Sequence, residues 1–172
     1  MTQFGVAQPV RRVEDPRLLK GAGSYTDDYT PAGALYGVVL RSPHAAATIR
    51  SIDTVAARAT AGVKAVYTSA DLVADKIGGL PCLVQLDNRD GSKGVMPPHP
   101  VLADGVVRHV GDPVAFIVAD TPRAARDGAE AVMVDYDILS SITDLATAMD
   151  ADSAQVWPEA AKNVAFDWET GQ

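Results

Sequence analysis

The chain has 172 residues, of which 47% are hydrophobic and only 6% aromatic, and its formal net charge is −7. This length fits one domain, whose core should consist mainly of small side chains. Nucleic-acid binders concentrate basic residues, so the acidic balance argues against DNA or RNA as a partner. No apolar run approaches the roughly 18 residues of a membrane-spanning helix, so we expect no membrane partner.

The number of cysteines limits the disulfides and metal sites that the chain can form. Cys82 is the only cysteine, which excludes an intrachain disulfide and a complete set of zinc or iron–sulfur thiolates within this chain. A reducing, cytoplasmic setting fits this composition best.

Residues 1–33 contain three prolines and four glycines and show neither a two-residue nor a helical hydrophobic period. They predict an extended N-terminal arm outside the core. Some of its side chains are too apolar for a solvated tail, and others could pair with acidic groups, so we expect an interface element. These side chains are Phe4, Leu18, Leu19, Tyr25, Arg11, Arg12 and Arg17.

A domain over residues 34–150 should follow the arm. Apolar runs predict its strands, and alanine-rich or capped segments predict its short helices. Asp53 or Thr54 would cap the first helix, and Gly62 would end it in a left-handed conformation. The elements expected in its first half are a strand over 35–40, a turn at 42–44, a strand over 48–53, a helix over 55–59, a strand over 63–68 and a helical turn over 69–72.

Residues 75–100 lose all periodicity, and the stretch 87–94 is polar enough to lie in water. Unstructured segments of this length are uncommon in compact domains and often meet partners or substrates. We therefore expect a long excursion from the sheet.

The hydrophobic pattern returns after residue 105. Strands are predicted over 106–110 and 113–119, the second nearly all apolar and so central. Thr121 and Pro122 then predict a helix start. Alternation over 132–136 completes a strand–helix–strand unit, and residues 151–172 are expected to begin a connection to a further part. The helix should present a face of small residues to the sheet, formed by Ala124, Ala125, Gly128, Ala129 and Val132.

Several residues could suggest a metal, nucleotide or nucleophile site, but none has the required spacing. His44, His99 and His109 are not spaced to share one helical face, so structural histidines are favoured over a zinc triad. Ser42 lies two residues from His44 on a turn, without an orienting acid. Cys82 has no base nearby.

The remaining candidates belong to the arm. The glycine-containing segment 20–24 is not followed by a helix, so a flexible turn is favoured over a phosphate cradle. Adjacent carboxylates in an extended chain point to opposite sides, which favours turn capping or salt bridges over acid–base catalysis. These carboxylates are Glu14 with Asp15 and Asp27 with Asp28.

Six segments, in order, resemble the large subunits of bacterial carbon monoxide dehydrogenase-like molybdenum hydroxylases. They are residues 12–28, 41–45, 49–54, 110–115, the helix from Thr121 and residues 134–136, and the likeness covers nearly the whole chain. Two positions depart from the usual pattern: Ala46 stands where a larger residue, often His, is common, and Asp112 stands where Glu or Gln is frequent. The excursion matches least well.

The resemblance implies an α+β fold of the α/β hammerhead type, with a mixed sheet, short helices packed on it and the N-terminal arm. It also implies a structural and subunit-assembly role in the xanthine dehydrogenase, aldehyde oxidase and carbon monoxide dehydrogenase family. The segment would not be catalytic alone. Its partners would be the cofactor-binding domains of the same large subunit and the iron–sulfur and flavin subunits.

The parent enzyme would hold molybdopterin cytosine dinucleotide with molybdenum, and 2Fe-2S clusters and FAD on partner subunits or domains. None of those binding motifs occurs in this chain, so no catalytic, cofactor-binding or metal residue is assigned to it. Relatives would continue beyond residue 172, which predicts a fragment, an isolated domain or a separately encoded piece. The alternative is a free-standing interaction or assembly protein, and an independent enzyme using His44, His109 and aspartates is least favoured.

Overall fold

The computed structural model describes residues 12–171, and their contacts divide the chain into one unit ending at Ala34 and another beginning at Leu35. Both units consist of short elements. The helices are α1 (Asp15–Leu19), α2 (Val55–Ala59), α3 (Ser69–Ala74) and α4 (Pro122–Glu130), with 3-10 turns at Thr26–Asp28 and Ala161–Asn163. The strands are β1 (Tyr36–Arg41), β2 (Ala47–Asp53), β3 (Val63–Tyr67), β4 (Val106–Val107), β5 (Pro113–Ala119) and β6 (Met133–Ile138).

The arm is not extended throughout, contrary to the sequence expectation. Helix α1 begins at a proline-containing turn, where the missing N–H costs nothing. Arg17 pairs with Glu14 at 3.8 Å, and the backbone N–H of Tyr25 donates to Asp28 at 2.9 Å. These two carboxylates therefore form the salt bridge and the turn cap expected of them. Phe4 and Arg11 lie outside the described residues.

The six strands form two three-stranded sheets. Sheet A has the order β1-β5-β3 and sheet B the order β4-β2-β6. The α+β fold class is confirmed, as is the central position of β5. The strands divide between two sheets instead of one, and their described pairings are all antiparallel. Because β1 and β3 already flank β5, the strand after α4 has no free edge beside β5 and pairs with β2.

Most predicted elements agree with the structure, and the differences have local causes. β4 stops at Val107 instead of residue 110, because the N–H of Arg108 donates to the carboxylate of Asp112 at 2.9 Å instead of to a strand. Thr54 occupies the N-cap position of α2 without a side-chain cap bond, and the carboxylate of Asp53, one residue earlier, accepts from the N–H of Val55 at 2.9 Å. Helix α2 ends at Ala59, and Gly62 adopts the left-handed conformation, with a φ of 88°, in the turn before β3.

Helix α4 covers one face of sheet A through its small residues. Ala125, Gly128 and Ala129 are buried, and Thr121 caps the helix by accepting from the N–H of Ala124. A Cβ at Gly128 would lie 2.7 Å from Val63 and 3.1 Å from Ile117. The absence of a side chain therefore fixes how closely helix and sheet can approach.

Two buried clusters make up the core of the second unit. One lies between α2, α4 and sheet A, and the other joins sheet B to the end of β5 at Val114. Ile52 and Val134, both in sheet B, pack against the two clusters at once. The sheets thus share one continuous apolar interior.

Substitution Gly128→Leu should destabilise the fold by about 1 to 3 kcal/mol, because the added side chain overpacks the contact with Val63 and Ile117. Arg126→Leu, on the exposed side of the same helix, should change stability by no more than about 0.5 kcal/mol. Thermal unfolding of both variants provides the measurement. Equal midpoints would show that the helix face has been assigned wrongly.

Candidate functional site

Two of the sequence segments that carry the resemblance meet at one corner of the second unit. The N–H of Ser42 donates to the carbonyl of Asp112, and the N–H of Gly111 donates to the carbonyl of Ser42, both at 2.8 Å. Arg41 adds a guanidinium hydrogen bond to the carbonyl of Gly111 at 2.8 Å. Gly111 has a φ of 91°, which favours glycine at this turn. We call these four residues the corner.

Ser42 is the most buried polar residue of the corner, with 2% of its surface exposed. Its Oγ accepts from the N–H of His44 at 3.0 Å and donates to the carbonyl of the same residue at 3.1 Å. The hydroxyl is thus committed to holding the backbone of the turn. This geometry does not prepare Ser42 as a nucleophile.

The imidazole of His44 lies edge-on against Tyr136 of β6, with ring centroids 4.9 Å apart. Burial raises the pKa of the Tyr136 phenol above its ordinary value, and the negative charge of Asp112 acts in the same direction, whereas the neighbouring Ser42 hydroxyl opposes both. The ring pair and the phenol therefore link sheet B to the corner by packing, with the phenol kept neutral.

The other side of the corner is held by Asp112 and Arg108. The Asp112 carboxylate accepts from the Arg108 N–H, and His109 lies 3.7 Å from the same oxygen. The guanidinium of Arg108 stacks 3.6 Å from the ring centre of Trp157 and donates to the carbonyl of Val156. This cation–π contact attaches the segment after residue 150 to the domain. No local sequence pattern indicates this contact, because the partners are 49 residues apart.

The histidines do not converge on one point. His99 and His109 border the same pocket, of about 160 Å³, together with Arg108 and Asp112, whereas His44 packs on Tyr136. Residues 12–171 contain no group of three or more His, Cys, Asp or Glu side chains arranged to hold a metal ion.

The face of sheet A opposite α4 is an apolar groove of about 590 Å³. Val39, Phe116 and Tyr67 stand side by side across its three strands. The Phe116 ring occupies the space where a Cβ of Gly37 would lie, 2.5 Å from it, yet 36% of Phe116 remains exposed. A nearly continuous apolar strand indicates burial on both faces. The open face could therefore not be predicted from residues 113–119.

A family model described as aldehyde oxidase and xanthine dehydrogenase, a/b hammerhead domain, matches residues 20–140. The chain belongs to this family. The match spans both sheets, the corner and the groove, and it confirms the family resemblance and the hammerhead fold.

Two relatives show the range of enzymes in which this hammerhead domain occurs. The carbon monoxide dehydrogenase large chain of Afipia carboxidovorans is 41% identical over 143 residues, covering 83% of this chain and 16% of the relative. The nicotine 6-hydroxylase large subunit of Paenarthrobacter nicotinovorans is 35% identical, covering 84% of this chain and 17% of the relative. The chain thus spans about one sixth of the length of these relatives.

A solved structure, quinoline 2-oxidoreductase from Pseudomonas putida 86, matches the hammerhead domain with a TM-score of 0.75 and 35% identity. The match covers 84% of this chain and 18% of that one. Aldehyde oxidoreductase from Desulfovibrio gigas matches with a TM-score of 0.70 and 27% identity, covering 86% of this chain and 16% of that one.

Among the described residues, 12–171, no side chains are arranged to hold a metal ion. Cys82 is an isolated, exposed thiol whose Sγ lies 3.2 Å from the carbonyl of Val84. The polar groups of the corner are bound to backbone, and the groove is lined mainly by carbon. No step of a redox reaction is therefore assigned to these residues.

The glycine-containing segment of the arm, considered above as a possible phosphate site, forms a local turn instead. Residues 20–24 come after α1 instead of before a helix, and Gly21 has a φ of 68° in the turn that ends it. The next helical turn, Thr26–Asp28, has only three residues. This geometry does not form a phosphate cradle. In the described residues no helix is long and apolar enough to cross a membrane.

Substitution Ser42→Ala should lower the free energy of unfolding by about 1 to 3 kcal/mol, because it leaves the half-buried N–H of His44 without its acceptor. Ser51→Ala, at an exposed position of β2, is the matched control and should stay within about 0.5 kcal/mol. Urea unfolding measures both. Equal urea midpoints would remove Ser42 from the residues that hold the corner.

Proposed function

We propose that this chain is the structural and subunit-assembly domain of the large subunit of a molybdenum hydroxylase, and that it is not catalytic alone. Its homologues are large or molybdenum-binding subunits of such enzymes, including a xanthine dehydrogenase subunit of Escherichia coli O157:H7. The hydroxyl of Ser42 and the carboxylate of Asp112 hold backbone, which suits a scaffold.

The observation that carries the proposal is the open face of sheet A. A row of Val39, Phe116 and Tyr67 across a sheet is unusual on a free surface, since large apolar grooves generally mark contacts. The groove is occupied by the remainder of the large subunit, because five sixths of the length of the relatives lies outside this chain. An apolar protein surface is the occupant that this lining fits.

The arm is a second contact in this proposal. Leu19 and Tyr25 are 86% and 69% exposed, although both are large apolar side chains. Arg12 and Arg17 are exposed beside them in sequence and can pair with acidic groups of a partner. The arm then acts as an interface element of the assembled enzyme.

The same proposal determines where the cofactors of the enzyme are bound. Molybdopterin cytosine dinucleotide with molybdenum belongs to the remainder of the large subunit, and 2Fe-2S clusters and FAD belong to partner subunits or domains. The setting is cytoplasmic. The alternative is a free-standing interaction or assembly protein. It would also bind partners through the groove, but it would not stay bound to a molybdenum-containing protein.

The chain by itself should contain no stoichiometric molybdenum, iron or flavin, because its described residues lack a suitable set of ligands. Cells that make the molybdenum cofactor provide the material, and elemental analysis with absorbance spectroscopy of the monomer fraction provides the measurement. A monomer that retains metal or pterin would contradict the non-catalytic assignment.

When the tagged chain is purified together with what it binds, molybdenum should be recovered through the associated remainder of the large subunit. Substitution Phe116→Thr should lower this molybdenum per mole of tagged chain about tenfold or more, because a central aromatic residue often dominates an interface. Met133→Thr, at a 71% exposed position on β6, is the control and should retain molybdenum. The unfolding midpoint of each free variant separates lost folding from lost association. Equal molybdenum recovery would refute the groove as the contact, and no molybdenum with the unaltered chain would favour the free-standing alternative.

A further inference from the structure

The excursion over residues 75–100 contains a self-supporting hairpin at 86–95. Asp87 and Lys93 face each other in a β-bridge, and their side chains form an ion pair at 2.6 Å. The N–H of Asn88 donates to the carbonyl of Ser92 at 2.8 Å. Gly91 turns the chain with a φ of 83°. The hairpin therefore has a defined shape of its own.

Residues 164–168 lie along this hairpin. The N–H of Val95 donates to the carbonyl of Ala165 at 2.6 Å, and the N–H of Arg89 donates to the carbonyl of Asp167 at 2.7 Å. The N–H of Asp167 in turn donates to the side-chain oxygen of Asn88 at 2.8 Å. Three hydrogen bonds, two of them between backbone groups, thus join segments 70 to 79 residues apart in sequence.

One ion pair adds to these hydrogen bonds. The guanidinium of Arg89 lies 2.6 Å from the carboxylate of Asp167, with each side chain a little over half exposed. Gly94 allows the close approach, since a Cβ there would lie 3.0 Å from the Cβ of Phe166 and 3.1 Å from the carbonyl of Ala165. Charge, backbone pairing and sterics all hold the same two segments together.

The direction of the second segment is set immediately before it. Lys162 and Asn163 both have positive φ values, 54° and 57°, which reverse the chain ahead of Val164. Asn163 donates to the carbonyls of Ala148 and Ala154 and accepts from the N–H of Val156. The conformation is uncommon outside glycine, and these three bonds maintain it.

We propose that residues 164–168 are a strap that closes on hairpin 86–95, so that the hairpin and the strap open and close as one cooperative unit. The strap does not depend on the proposed assembly role. Any partner that binds one segment in its open form also releases the other, because two segments that share one equilibrium are thermodynamically linked. Hairpin 86–95 is therefore a conformational element and not a free loop.

Amide hydrogen exchange by NMR on the full 172-residue chain tests this proposal. Arg89→Ala should accelerate exchange at Val95 and at Asp167 together, each about threefold or more, because both amides depend on the closed strap. The matched control is Lys64→Ala, which removes an ion pair to Asp120 of similar length and exposure on sheet A. It should change neither amide.

Salt provides a second measurement that needs no substitution. Raising NaCl from about 0.1 M to about 1 M shortens the screening length to about 3 Å and should accelerate the same two amides in the unaltered chain. Leu80, which donates to the carbonyl of His99 at the base of the excursion without an ion pair, should not respond. Acceleration at only one of Val95 and Asp167, or at neither, would overturn the proposed strap. If the Arg89 variant does not fold, the salt measurement on the unaltered chain is the deciding test.

Discussion

The close approach of α4 to sheet A is the constraint on which the rest of the second unit depends. With no side chain at Gly128, the helix can lie directly on Val63 and Ile117, and its small residues cover only one face of the sheet. The strand after α4 cannot lie beside β5, because β1 and β3 flank β5, and it pairs with β2 in the second sheet. The consequence is a fold with two small sheets and an apolar groove on the face opposite α4.

The corner shows how polar residues can resemble a catalytic constellation and yet serve structure. Ser42, His44 and Asp112 contain the residue types of a hydrolase triad, but the hydroxyl binds the backbone of His44 and the carboxylate binds the backbone of Arg108. Backbone donors buried at a turn need such partners, because leaving one unpaired costs more than an ordinary hydrogen bond contributes. The corner joins two sheets at the point where their connecting turns meet.

Most elements of the fold could be predicted from the sequence because their signals are local. Thr121, Pro122 and the small residues after them predicted α4, and the apolar run over 113–119 predicted the central strand. The division into two sheets could not be predicted, since hydrophobic period gives the face of a strand and not its neighbour. The strand predicted over 106–110 ends at Val107 because the Asp112 side chain takes the backbone donor of Arg108. Helix α1 was missed because none of its residues is buried and they show no apolar period.

The candidate site and the strap depend on pairs that no local pattern records. The contact of Arg108 with Trp157 joins the end of a predicted strand to the predicted connection. The ion pair of Arg89 with Asp167 joins the predicted excursion to the same connection. An exposed ion pair alone contributes little, so charge by itself would not have ordered the excursion. Order arises because Asn163 turns the chain and three hydrogen bonds between the two segments act with the ion pair. A polar, glycine-containing loop can therefore have a fixed structure when a distant segment satisfies its backbone groups, and this is the condition under which the loop and that segment must move together.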